Sequence, residues 1–85
     1  MPPKSKTKEE DAQLLKKLGE RFKSIRLEKG LSLEQVGKKG GKDRQSIHRL
    51  ERGEFNPSYI YLTKVCKGLD IDITELLKDL NTGEI

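Results

Sequence analysis

SLEQVGKKGGKDRQSIHRLERG, residues 32–53, is the stretch whose reading decides the fold. Ser32 is a good N-cap, because its hydroxyl accepts a hydrogen bond from an amide that the first helical turn leaves unpaired. Residues 33–39 then make about two turns, with Val36 as the apolar anchor. Gly40 and Gly41 end that helix, since glycine enters the left-handed conformation without a Cβ clash. Asp43 restarts the chain as a second N-cap, its carboxylate beside the positive end of a helix that runs from 44 to about 52. Ile47 and Leu50 lie three apart on the face that turns inward. Arg44, Gln45, His48 and Arg49 stay on the outer face, and Gly53 closes the element. The expectation is two short helices joined by a tight turn.

Upstream, Leu14, Leu18, Phe22 and Ile25 recur at spacings of four, four and three, a helical stripe within residues 11–29 that should form core. Leu15 and Leu27 lie off the stripe. Gly30 ends this helix, and Leu31 should enter the core. Thr7-x-x-Glu10 has the form of a capping box and offers an earlier start. Downstream, Glu54, Phe55, Asn56 and Pro57 make a loop, in which Pro57 holds Asn56 to extended angles. Ser58 is the candidate cap of a helix reaching Gly68, with Tyr59, Leu62, Val65, Cys66 and Leu69 facing inward. After a turn at Gly68-Leu69-Asp70, Asp72 or Thr74 caps a last helix over 74–80, anchored by Leu76 and Leu77. The expected organisation is therefore all-α with five helices. A basic tail without fixed structure occupies residues 1–10, one domain spans 11–80, and residues 81–85 fray.

Leu31-Ser32, Glu34, Val36, Gly41, Arg44, Ile47, Arg49, Glu51-Arg52-Gly53 and Asn56-Pro57-Ser58 together resemble the helix-turn-helix of the lambda-repressor and Cro (XRE) family of bacterial and phage regulators. The resemblance covers roughly residues 18–77, and the order Ile-x-x-x-Glu-Arg-Gly-x-x-Asn-Pro falls at the family's spacing. The sequence departs from the pattern at Leu33, where Gln is usual, and at Gly37, where Ala is usual. It departs again at Gly40 and Lys42, where large apolar residues are usual, so the turn is expected to lack two core anchors.

The resemblance implies a five-helix lambda-repressor-like domain, a sequence-specific transcriptional regulator, in most cases a repressor. It would bind a palindromic operator in double-stranded DNA as a homodimer, through the helix at 44–52. Base reading would then fall to Arg44, Gln45 and Arg49, because arginine forks onto guanine and glutamine onto adenine. Ser46 and His48 flank these readers. Ser32 and the neighbouring amides suit a phosphate, while Leu33 would pack on sugar or a thymine methyl. Lys38, Lys39, Lys42, Arg52 and Asn56 would add contacts that position the protein without reading sequence. The resemblance also implies a salt bridge, Arg26–Glu51, between the first helix and the recognition helix. Ile60, Tyr61, Ile71 and Ile73 form an apolar group near the C-terminal helix, which suggests a dimer seam.

Charge agrees with a polyanionic partner. The net +4 is segregated: residues 12–69 hold fourteen Lys and Arg against six acids, and residues 70–85 hold Lys78 against five. A basic segment carrying the paired short helices suits nucleic acid. Eighty-five residues make one small domain. A lone cysteine, Cys66, and a lone histidine, His48, exclude a disulfide framework and a zinc set. A reducing, cytoplasmic compartment and no cofactor are expected. No apolar run approaches the roughly 20 residues that span a membrane, and the N-terminus lacks the apolar core of a signal peptide. No nucleophile, base and orienting group come together, so no enzyme is expected. Gly37-Lys38-Lys39-Gly40 has the form of an RNA-clamping KH loop, but no alternating strand accompanies it. Asp70-x-Asp72 with Glu75 lacks the central glycine and distal glutamate of a calcium loop. The remaining alternative is an antitoxin or adaptor on the same fold, gripping a protein partner (a toxin or another regulator) through the acidic C-terminus or the Ile60/Tyr61 surface.

Overall fold

The computed structural model describes residues 4–78 and residue 80, with side chains from Lys8 onward. Five helices follow one another: α1 (Lys4–Glu28), α2 (Leu33–Gly40), α3 (Arg44–Glu51), α4 (Tyr59–Leu69) and α5 (Ile73–Leu77). No strand occurs among the described residues.

Helix α1 is longer than its apolar stripe demands. It takes in residues 4–10, which the sequence assigns to a tail, and Thr7 lies inside it rather than capping its start. Residues 4–18 contain neither proline nor glycine and are mostly Lys, Leu and Glu. These are good helix formers, and nothing stops the helix from running back towards Pro3. The rest of the expected tail, residues 1–3, and the expected frayed end, 81–85, lie outside the described residues.

Leu18, Phe22 and Ile25 of α1 meet Val36, Ile47, Leu50, Leu62, Val65, Cys66, Leu69 and Leu76 in one core. Leu14, the expected fourth member of the stripe, is exposed. Gly53 abuts the backbone of Leu15 and Lys16, and Leu14 lies on the N-terminal side of that contact. Tyr59 and Leu77 are also exposed where the sequence places them inward. Tyr59 opens α4 before the helix meets the core, and the buried face is set by Leu62, Val65, Cys66 and Leu69. Helix α5 begins one residue earlier than expected and stops at Leu77, because Lys78 turns extended (φ −61°, ψ 129°). Asp72 takes its N-cap position without a side-chain hydrogen bond. The short helix is held from outside. Arg21 of α1 donates through Nη2 to the Glu75 carbonyl at 2.8 Å and through Nε to the Leu76 carbonyl at 3.3 Å, a cation at a helix C-terminus.

Helices α2 and α4 meet backbone to backbone. A Cβ on Gly40 would stand 2.6 Å from the Lys64 carbonyl oxygen, and one on Gly68 would collide with the Val36 carbonyl. Gly40, which the sequence reads as a missing anchor, is thus a contact surface with no room for a side chain. The second missing anchor, Lys42, is half-buried with its ammonium 5.1 Å from the centroid of the Tyr61 ring, a cation–π arrangement.

Cys66 is 1% exposed. Burial first, then the charges of Asp72 and Glu75, push its thiol up to about 11. The thiol form therefore persists through neutral pH and reacts poorly, since the thiolate is the nucleophile. Labelling by a thiol reagent at pH 7.5 is expected to be at least about tenfold slower in the folded chain than in denaturant. Equal rates would show that α4 opens freely.

Candidate nucleic-acid interface

Each end of the paired short helices is fixed by a local hydrogen bond. At the start of α2, Ser32 Oγ accepts from the Gln35 amide at 3.0 Å, and Gln35 Oε1 accepts from the Ser32 amide at 2.8 Å. This is a reciprocal capping box, and its Ser-x-x-Gln spacing was present in the sequence. The Ser32 hydroxyl proton stays available to an outside acceptor. Gly41 ends α2 with φ 72°, a left-handed conformation that a Cβ would strain. At the start of α3, Asp43 Oδ1 accepts from the Ser46 amide at 3.3 Å.

The polar residues of α3 then separate by face. Ile47, Leu50 and Glu51 are buried, while Arg44, Gln45, His48 and Arg49 are exposed. Arg44 and His48 form one i,i+4 row, and Gln45 and Arg49 form another. The helix closes with a Schellman pair: the Gly53 amide donates to the Leu50 carbonyl at 3.0 Å and the Glu54 amide to the Arg49 carbonyl at 3.0 Å.

A buried ion pair sets the angle at which α3 is presented. Arg26 Nε donates to Glu51 Oε2 at 2.6 Å and Nη2 to Oε1 at 3.0 Å. Its third donor, Nη1, reaches the Leu31 carbonyl at 2.8 Å. One guanidinium thus joins α1, α3 and the segment leading into α2, in a bidentate geometry that fixes direction as well as distance.

Other candidate residues are placed unevenly. Ser46 Oγ donates towards the Asp43 carbonyl at 3.2 Å and lies 3.0 Å from Tyr61 Oη, so its hydroxyl is engaged inside the protein. Burial raises the Tyr61 phenol above its usual range, which keeps it neutral in that bond. Leu33 is half-buried and packs against the core. Lys39 stands 3.8 Å from Asp70 at the end of α4, apart from the α3 cluster. Lys38 and Asn56 are exposed. Arg52 Nε lies 2.9 Å from Glu54 Oε2, and Arg49 Nε lies 3.7 Å from Glu54 Oε1. The Arg49 guanidinium carbon stands 5.6 Å from the centroid of the Phe55 ring. Phe55 meets Tyr61 edge to face, with centroids 5.2 Å apart and planes at 90°.

The sequence places Glu54 and Phe55 in a loop and Tyr61 in a surface seam, and its local pattern marks no role for Gln35 or Arg21. Tyr61 is half-buried, with the Lys42 ammonium over its ring and Ser46 Oγ at 3.0 Å from its hydroxyl. Ile71 and Ile73 are partly buried against the core, whereas Ile60 is 63% exposed. Among the described residues, no group of His, Cys, Asp and Glu is placed to hold a metal. No described helix is long and apolar enough to cross a membrane.

The chain is similar to known proteins over most of its described length. The helix-turn-helix family model matches residues 22–76. The uncharacterized HTH-type transcriptional regulator y4dJ of Sinorhizobium fredii is 37% identical over 62 residues, covering 73% of this chain and 80% of that one. The HTH-type transcriptional regulator SinR of Bacillus subtilis is 35% identical over 68 residues. That match takes in 79% of this chain but only 61% of SinR. Among solved structures, the restriction-modification controller protein C.AhdI of Aeromonas hydrophila is 38% identical with a TM-score of 0.70, over 76% of this chain and 97% of that one.

Proposed function

We propose an operator-binding mode for this chain, which belongs to the helix-turn-helix family of DNA-binding transcriptional regulators, of the lambda-repressor and Cro (XRE) type, and is not an enzyme. The chain acts as a homodimeric repressor in the cytoplasm. Its operating unit is residues 11–80, and its operator is a palindrome. The two copies place α3 in successive major grooves about 34 Å apart.

The observation that carries this reading is the division of α3. Its inward face is locked by Ile47, Leu50 and the Glu51 ion pair, while Arg44, Gln45 and Arg49 project from the outer face. Arg44 and Gln45 enter the groove first, because a recognition helix reads from its N-terminus. Arg49 follows a turn later, beside Gln45. His48 and Ser46 flank the readers. The α2 N-terminus and the Ser32 hydroxyl take a phosphate. Lys38, Lys42, Arg52 and Asn56 add positioning contacts, and Lys39 adds long-range attraction. Tyr59, Ile60 and Leu77, all exposed on α4 and α5, support a dimer seam on that side.

Selection of bound sequences from a random duplex pool, with wild type, Arg49→Ala and Lys38→Ala in parallel, tests the reading. The wild type is expected to yield a two-fold symmetric consensus. Arg49→Ala is expected to lose preference at one base pair of each half-site, by about 1–3 kcal/mol, with nonspecific binding nearly intact. Lys38→Ala is expected to weaken all sequences alike and to make the salt slope shallower by about 1. An unselected pool, the same with wild type as with Arg49→Ala, would defeat the operator-binding reading in favour of a protein partner.

A further inference from the structure

We infer that Glu54 and Phe55 are positioning residues for base discrimination and that they act through Arg49. The inference rests on the reading of Arg49 as a base reader. An arginine loses rotamer freedom when its fork docks on a base, and any contact that holds the side chain beforehand reduces that loss. Arg49 is held in this way from two directions. Glu54 Oε1 stands 3.7 Å from its Nε. The Phe55 ring lies 5.6 Å from the guanidinium carbon, where arginine and aromatic rings attract. The contact with Glu54 is made at Nε, whereas the Nη1 and Nη2 fork supplies the two donors that guanine O6 and N7 require.

The holders are themselves fixed. Gly53, at φ 72°, turns the chain at the end of the helix. The bond from the Glu54 amide to the Arg49 carbonyl then pins the backbone. The second Glu54 oxygen is anchored on Arg52 Nε at 2.9 Å. Phe55 is braced by the edge-on Tyr61 ring, and Tyr61 by its 3.0 Å contact with Ser46 of α3. The bracket therefore moves with the helix it serves.

The charge of Glu54 gives the inference a distinctive signature. A carboxylate beside the reading arginine repels phosphate, so on electrostatic grounds it weakens binding to every DNA sequence. Orientation of Arg49 offsets that repulsion only on the correct base pair. Replacing Glu54 with Gln is thus expected to raise nonspecific affinity and to lower discrimination.

The test is competition binding by the full chain at fixed salt. It compares the selected operator with duplexes altered at the base pair whose preference Arg49→Ala removes. Glu54→Gln and Phe55→Leu are each expected to reduce discrimination there by about threefold or more, and at no other position. Phe55→Tyr keeps the ring and is expected to keep the discrimination. Added to Arg49→Ala, neither change should have any further effect on discrimination. Unaltered discrimination in Glu54→Gln and Phe55→Leu, with Arg49→Ala defective, would overturn the positioning role and leave the base reader standing. Unaltered discrimination in Arg49→Ala itself would remove the base reader, and the positioning role with it. A loss spread evenly over all base pairs together with a lower Tm would mark a structural role only and also overturn the inference. If Phe55→Leu fails to fold, the half-exposed Glu54 carries the test alone.

Discussion

Replacing Glu51 with alanine is expected to lower the stability of the domain by about 3–5 kcal/mol. For a domain of this size each 1 kcal/mol moves Tm by about 4–8 °C, so the fall should exceed roughly 12 °C. The reason is the guanidinium left behind. The side chains of Arg26 and Glu51 are 9% and 3% exposed, and the carboxylate accepts two of the three hydrogen bonds that Arg26 donates. Without it, a buried cation keeps only the Leu31 carbonyl. The loss differs from the worth of the pair, because desolvating both ions offsets much of their attraction. Arg26→Met combined with Glu51→Leu is therefore expected to recover most of the stability. The double variant should still bind DNA less selectively, since the bidentate bond also sets the direction of α3. Thermal melts of the two variants beside wild type check this, and a shift of only one or two degrees in Glu51→Ala would show that the pair carries little.

Gly40→Leu gives the second large effect, and here family pattern and structure disagree about its sign. The pattern places a large apolar residue at this position, so the change ought to restore an anchor and stabilise the turn. The structure puts any Cβ at residue 40 at 2.6 Å from the Lys64 carbonyl oxygen, a backbone atom that moves only if α4 moves. Overpacking of this kind typically costs about 1–3 kcal/mol, or a fall in Tm of roughly 4 °C or more. Because α4 carries Tyr61, the strain should also reach the bracket around α3. A Tm equal to or above that of the wild type would show that the α2–α4 contact is looser than its backbone distances indicate.

Most of the helices were legible because the signals that make them act over three or four residues. Ser32, Asp43 and Ser58 cap the helices they were expected to cap, each accepting from the amide three residues on. Gly30, Gly41 and Gly53 take the left-handed conformation where the chain turns. Ile47 and Leu50 face inward because a helix of 3.6 residues per turn leaves them no other course once Arg44, Gln45 and Arg49 face out. The errors cluster where local pattern is silent about what lies opposite. Leu14 continues the α1 stripe, yet it lies beyond the Gly53 contact. Leu77 continues the α5 pattern, yet the helix ends there. Residues 4–10 have helical composition without an apolar stripe, and the Thr7 capping box pointed to an earlier start that still falls short of Lys4.

By itself, then, the sequence determined the number and type of the elements, the caps of α2, α3 and α4, the polar face of α3 and, through the order of letters around Glu51-Arg52-Gly53, the family. The tertiary structure decided what each of those residues meets. It turned two apparent gaps, Gly40 and Lys42, into a backbone contact and a cation on an aromatic ring. It also set Tyr61, one of an apolar group near the C-terminal helix, half-buried against Ser46 of α3. The physical reason is one of range. Capping and periodicity depend on neighbours along the chain, whereas close packing, buried ion pairs and aromatic contacts depend on segments that meet only after the core has formed.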